Sequence, residues 1–403
     1  MGESVKKEGS SSRLVSLDAF RGFAVLAMVF FNYISDMKGL PSWTQHAPSD
    51  LDAFTPVDLI FPGFLFAAGL AIPLSLGRRR REGAPWTTTL FHILFRSAGL
   101  LVLGIFFANQ EHYSAKLTGL GEATYQMLFL VLVVLAWLAV PAGASPRVRL
   151  LVRWIKGGSL FFLLCLLVAF RADPGSGHTA WLDFGYWDIL GFIGWAYLGC
   201  SILYLVCRGN PAALMGLPGF MIAMYIGDRH GQLGWFPHFE GFDLGLLFGS
   251  APAMMMAGVI AGERMRAGPR KGSAFFLLAF GLGLLAAGLL IRPLHGISKD
   301  HGTDAYSLVS SGIMSLLFLA FYLVMDVVRW RRWAGWLVVV GSNALLAYIM
   351  PDLLGNLTSL AGLDLSPFWD RGGWVGVLNM AVDTGIVVIV TVVMTRLKVV
   401  VRI

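Results

Sequence analysis

Residues 273–293 read Ser273-Ala-Phe-Phe-Leu-Leu-Ala-Phe-Gly-Leu-Gly-Leu-Leu-Ala-Ala-Gly-Leu-Leu-Ile-Arg292-Pro293. No side chain from Ala274 to Ile291 is charged, and a helix needs roughly 20 mostly apolar residues to cross a bilayer. Similar runs recur near 18–36, 57–76, 88–108, 124–142, 157–170, 188–207, 211–226, 243–262, 306–328, 336–356 and 374–395. They predict an all-α, polytopic transmembrane bundle of about twelve spans. The fifth and seventh are the shortest, and a hairpin that failed to cross there would leave ten.

Composition supports this reading. Of 403 residues, 56% are hydrophobic and 14% charged, against roughly 25% charged in soluble chains. Mean hydropathy is +0.69. A soluble globular fold is excluded, and so is a transmembrane β-barrel, whose strands show short alternating segments rather than unbroken runs. Cys165, Cys200 and Cys207 all lie in apolar runs and lack disulfide or metal spacing.

Charge placement orients the bundle. With the N-terminus in the cytoplasm, the inner loops hold 22 of the 31 lysines and arginines, the outer loops hold six, and Arg21, Arg96 and Arg292 lie within spans. Basic residues near span ends favour the cytoplasmic side, so both termini are expected there. The net charge of +7 then reflects membrane topology, and nucleic acid is not an expected partner. Residues 1–12 read as a disordered cytoplasmic tail, and 13–403 as a single membrane domain. No cleavage site follows the first apolar run, which argues against a signal peptide.

Ionisable groups inside a membrane are costly and mark function or pairing. Asp18, Arg21, Asn32 and Asp36 fall on one face of the first helix at 3.6 residues per turn. Asp18 and Arg21 can be a structural pair at the inner end, or can bind an anion there. The following outer loop holds His46, and the second helix opens Thr55-Pro-Val-Asp58. Asp58 can be a helix-start charge or can orient a histidine ring. Seven of the eight histidines, all but His92, fall in or beside outer segments. No pair has the i, i+4 spacing of a zinc site, so no metal is expected.

These residues also form a recognisable series. Arg13-Leu-Val-Ser-Leu-Asp18-Ala-Phe-Arg21-Gly22, Asn32-Tyr33, His46-Ala and Thr55-Pro-Val-Asp58-Leu-Ile-Phe-Pro62 resemble the opening of the heparan-alpha-glucosaminide N-acetyltransferase family. Looser echoes follow in Ser250 to Gly262 and in Gly341-Ser-Asn343 to Tyr348. The resemblance implies transfer of an acetyl group from cytosolic acetyl-coenzyme A (acetyl-CoA) to an amino sugar or glycan on the periplasmic or lumenal side. It places the active histidine on His46 and the family asparagine on Asn32. Its cofactor-binding residues fall on Arg13 and Arg21, with Asp18 in the same block. It further suggests a homodimer.

Two features depart from the pattern. Ile193-Gly194 stands where members often carry Gln-Arg, and the loop between Asn32 and His46 is long, leaving room for a different acceptor. Chemically, basic groups at the inner end suit coenzyme A phosphates. His46 can act as a general base or as a nucleophile that carries the acetyl group. Asn32 can stabilise the oxyanion, and Asp58 can orient the ring. A membrane O-acyltransferase acting on a periplasmic glycan or lipid-linked sugar is the nearest alternative. A secondary transporter is a third, although no repeated polar pattern is visible. The compact, loop-poor chain points to a bacterial inner membrane, with membrane lipid as its surroundings.

Overall fold

The computed structural model describes residues 14–35, 37–141, 143–173, 180–185, 187–235, 243–266, 272–363 and 372–401. The expected tail, and with it Arg13 and Asp36, lies outside the described residues. The chain is helical almost throughout: α1 (Val15–Ile34), α2 (Ile60–Arg81), α3 (Trp86–Asn109), α4 (Ala115–Thr118), α5 (Glu122–Ala136), α6 (Pro146–Ala169), α7 (Ile189–Val206), α8 (Pro211–Arg229), α9 (Ala251–Arg266), α10 (Ser273–His295), α11 (Asp304–Tyr322), α12 (Gly335–Ser342), α13 (Ala344–Leu360) and α14 (Gly373–Arg396).

Among the described residues, nine helices are long and apolar enough to cross a membrane. The pair α12–α13, bent by 78° at Asn343, makes a tenth. The chain is therefore an integral, multi-pass membrane protein. Each of the expected apolar runs is helical, but their lengths differ from the reading. The fifth run is no stub: its helix starts at Pro146, where Ser145 caps it by accepting from the Val148 amide at 3.4 Å. The sequence reading began that run later because Arg147, Arg149, Arg153 and Lys156 looked like loop; they ride instead on the first turns of α6. Of the twelve expected runs, 124–142 forms only the 15-residue α5, and neither it nor α8, the seventh, is among the nine candidate spans. α5 stops because Pro141 excludes a regular helix through Trp137 and the chain beyond pairs elsewhere, with the Ala139 amide donating to the Val400 carbonyl at 2.7 Å.

The core sits around the span Gly245–Arg266, which ends in α9 and is 89% buried over its most apolar part, against 17% for α10 and 22% for α6 and α14. Lipid resembles a side chain, so helices in membranes associate through close backbone approach at small residues. A Cβ on Gly258 would overlap the Phe66 carbonyl, and one on Gly69 would overlap that of Met255. These contacts lock α2 against α9. The same device fixes α1 against α12, where Gly341 abuts the Asp18 carbonyl and Gly22 abuts that of Leu337. Gly22 of the Arg-Gly block is thus a packing residue.

Candidate active site at the start of the second helix

His46 lies in the connection between α1 and α2, and Asp58 in the 3-10 turn (Val57–Leu59) that leads into α2. The structure brings them together: Nδ1 of His46 is 2.6 Å from Oδ1 of Asp58. The Asp58 side chain is fully buried, while that of His46 is 38% exposed. A buried charge must be satisfied. The second oxygen, Oδ2, accepts from the Thr55 amide at 2.8 Å, the Ala47 amide at 3.2 Å and the Thr55 hydroxyl at 3.2 Å. The single proton of that hydroxyl is shared with the Gln45 carbonyl, the nearer acceptor at 2.8 Å. With the carboxylate on Nδ1, the ring proton resides there and Nε2 keeps its lone pair. This is the ring-orienting arrangement rather than a bare helix-start charge.

Two further groups meet this pair and a third braces its surroundings, and sequence reading missed all three. Lys299, in the connection from α10 to α11, places Nζ 3.1 Å from Nδ1 and 3.3 Å from Nε2 of His46. The buried Tyr306 of α11 donates its hydroxyl to the Asp58 carbonyl. Asp52 holds the two connections together, with Oδ1 accepting from the Ile297 amide at 2.6 Å and Oδ2 from Arg292 Nε at 2.9 Å. The Ile297 amide, followed by the Arg292 guanidinium, holds the Asp52 carboxyl below the usual carboxylate range. Lys299 is 253 positions from His46, and the sequence offered only one signal for it, an outer cation in a short connection.

Asn32 stands in the last turn of α1 with an exposed side chain. Among the described residues, no hydrogen bond joins its amide to the His46–Asp58 pair. At the opposite end of α1, Arg21 Nη1 lies 4.0 Å from Asp18 Oδ1, with Asp18 nearly buried. The α1 start is capped from another helix, since the Ser16 amide donates to Asp326 Oδ2 at 3.1 Å. A carboxylate there suits the positive end of the helix.

Near the C-terminal ends of α7 and α9, Arg266 grips Glu263 through Nε at 2.9 and 3.1 Å, and Tyr204 donates to Glu263 at 2.8 Å. Gly194 faces α3, where a Cβ would come 2.8 Å from Leu100, and the Arg96 guanidinium of α3 stacks over Tyr197 at 4.5 Å. An arginine has no space at Gly194, and one reaches that helix from α3 instead. Among the described residues, no group of three or more His, Cys, Asp or Glu is arranged to hold a metal ion.

Comparison with known proteins adds to this geometry. Heparan-alpha-glucosaminide N-acetyltransferase of Homo sapiens is 26% identical over 377 residues, covering 85% of this chain and 53% of that protein. The protein of the same name from Mus musculus is 32% identical over 106 residues, covering 26% of this chain and 15% of its own length. The chain thus spans about half the length of the human relative it matches. The likeness read from the opening blocks is borne out across most of the chain. Residues 13–234 match a family described only as a domain of unknown function, DUF5009; this is more than half of the 403 residues, and the chain belongs to that family.

Proposed function

We propose that this protein transfers an acetyl group from cytosolic acetyl-CoA to an amine of an amino sugar or glycan on the other side of the membrane. The observation that carries this reading is the His46–Asp58 pair, a half-exposed imidazole with a buried carboxylate at 2.6 Å behind it. That arrangement leaves Nε2 as a base or nucleophile toward an acyl group. As a base, Nε2 takes the proton from the attacking amine. As a nucleophile, it forms a bond to the acetyl carbon while the thioester sulfur leaves, and the amine then displaces the imidazole. Two acetyltransferase relatives, each named for a glucosaminide acceptor, support the choice of acyl group and amine. The 22-to-6 distribution of basic residues supports placing the His46 connection on the periplasmic or lumenal face. Asn32, exposed at the same end of α1, supplies an amide for the developing oxyanion, and Arg21 a cation for coenzyme A phosphate.

The deciding experiment uses purified protein in detergent with labelled acetyl-CoA and a panel of amino sugars, product mass being the readout. His46→Ala should nearly abolish transfer yet keep its affinity for acetyl-CoA. Turnover within about twofold of the parent, on folded protein that binds acetyl-CoA, rejects His46 as the reacting group.

A further inference from the structure

The seam between α3 and α7 holds a cation and three hydroxyls that the fold leaves without hydrogen bonds. Arg96 lies well inside the span built on α3. Among the described residues no carboxylate pairs with it, and its buried Nε has no hydrogen-bond partner. The hydroxyls of Ser97, Tyr197 and Ser201 likewise have none, in residues at most 1% exposed. Gly194, Tyr197 and Ser201 follow at three- and four-residue steps on one face of α7, and a Cβ on Gly194 would stand 3.1 Å from the Ser97 carbonyl. The Arg96 guanidinium covers the Tyr197 ring. One turn away on α3, His92 is within electrostatic reach of Arg96 and of Arg79 in α2, so basic groups lead from the arginine-rich end of α2 to this point. Ionisable groups inside a membrane are kept for function or pairing, and buried polar groups need partners. The missing partner must bring negative charge and several acceptor oxygens, as a phosphate does.

The depth of this seam fits the donor. Phe61, three residues beyond Asp58, meets Phe192 of α7 with ring centroids 6.3 Å apart. Beside Phe192, Gly191 abuts Gly104 of α3, where a Cβ would overlap the Gly191 backbone. Arg96 is eight residues from Gly104, about 12 Å along α3 at 1.5 Å per residue, and so about 16 Å deeper than Asp58. In acetyl-CoA about fourteen bonds separate the thioester carbon from the first phosphorus, the length of four to five residues of extended chain, roughly 16 Å. A donor whose thioester meets His46 therefore brings its pyrophosphate to the level of Arg96. We propose that Arg96, Ser97, Tyr197 and Ser201 seat the pyrophosphate of acetyl-CoA between α3 and α7. This inference rests on the acetyl-transfer reading above. It adds a second cation to the one that reading puts at Arg21, and coenzyme A carries phosphate at two positions.

The test measures binding to the full chain in detergent by calorimetry, with acetyl-CoA and with acetyl-pantetheine, which keeps the thioester arm but has no phosphate. Arg96→Gln should weaken acetyl-CoA at least about tenfold, the loss of one charge-assisted hydrogen bond, and leave acetyl-pantetheine unchanged. Arg96→Lys should recover part of that loss. Ser201→Ala and Tyr197→Phe should each weaken acetyl-CoA about two- to tenfold. Both should leave the unfolding temperature of the ligand-free protein unchanged or higher, because each removes an orphaned hydroxyl; a structural role would lower it. Equal losses for acetyl-CoA and acetyl-pantetheine overturn the proposal. So does phospholipid that co-purifies with the parent and is lost in Arg96→Gln while acetyl-CoA affinity stays unchanged, which assigns the seam to a lipid headgroup. Parent-like acetyl-CoA affinity in Arg96→Gln, with acetyl transfer by the parent, overturns this inference alone. A parent that neither binds acetyl-CoA nor transfers acetyl overturns the acetyl-transfer reading together with it.

Discussion

Asp58→Asn is the sharpest perturbation of the candidate site, because shape is kept and only one proton relation changes. Oδ2 of Asp58 receives three donors, the Thr55 and Ala47 amides and the Thr55 hydroxyl, at 2.8–3.2 Å. An asparagine must turn its carbonyl to them, since its NH2 would meet two N–H groups head on. The NH2 then faces Nδ1 of His46 and donates to it. The ring proton moves to Nε2, which loses its lone pair. A misplaced general base costs about 10²- to 10⁴-fold in rate, and the amide swap behind the histidine of a serine protease costs about 10⁴ by this same tautomer error. Two backbone amides exchange a charged acceptor for a neutral one, at about 1 kcal/mol each, so the variant stays folded. The assay is initial-rate acetyl transfer to an amino sugar, with acetyl-CoA binding measured on the same preparation. The expected result is turnover down by about two orders of magnitude or more, though by less than in His46→Ala, with binding unchanged. Turnover within twofold of the parent would refute the idea that Asp58 sets the ring's tautomer.

Other outcomes are equally concrete. Arg21→Ala should weaken acetyl-CoA binding roughly ten- to a hundredfold, the typical loss of one charge-assisted hydrogen bond, and desulfo-coenzyme A should show the same loss in calorimetry. Unchanged binding leaves Arg21 as the structural partner of Asp18. With Cys165, which is exposed, first removed, Ser42→Cys should react with an impermeant thiol reagent from outside, and Ser145→Cys only after permeabilisation; the reverse pattern overturns the orientation. Gly258→Ala, whose Cβ overlaps the Phe66 carbonyl, should cost about 1–3 kcal/mol and lower the unfolding temperature in detergent, whereas Gly283→Ala, with open space around its Cβ position, should leave it unchanged.

What was legible in the sequence follows from the range of each interaction. Long apolar runs are local, so the helices and the all-α class could be read directly. His46 and Asp58, only twelve residues apart, were legible as candidates, but their pairing stood beside a helix-start role for Asp58 until the fold placed the ring against the carboxylate. Lys299 was not legible, since 253 residues separate it from His46 and only the docking of α11 beside α2 brings them together. The end of α5 was only partly legible: Pro141, inside the expected run, excludes a regular helix through Trp137, whereas the pairing of Ala139 with Val400 comes from the far end of the chain. The charged start of α6 misled because four basic residues resemble a loop until Ser145 is seen capping a helix. Arg21 and Asp18 stand 4.0 Å apart, a spacing that fits both a structural pair and an anion site.

The break between α12 and α13 bears on the order of assembly during synthesis. Asn343 is fully buried there. Its Nδ2 donates to Thr395 Oγ1 and to the Val399 carbonyl, both at 2.9 Å, while its Oδ1 accepts from the Val401 amide at 3.0 Å. These partners are made 52–58 residues later. Until then the amide has no such partners, and a buried orphan costs about 1–3 kcal/mol. The α12–α13 elbow therefore acquires the partners of its buried amide only once the chain has been made as far as residue 401.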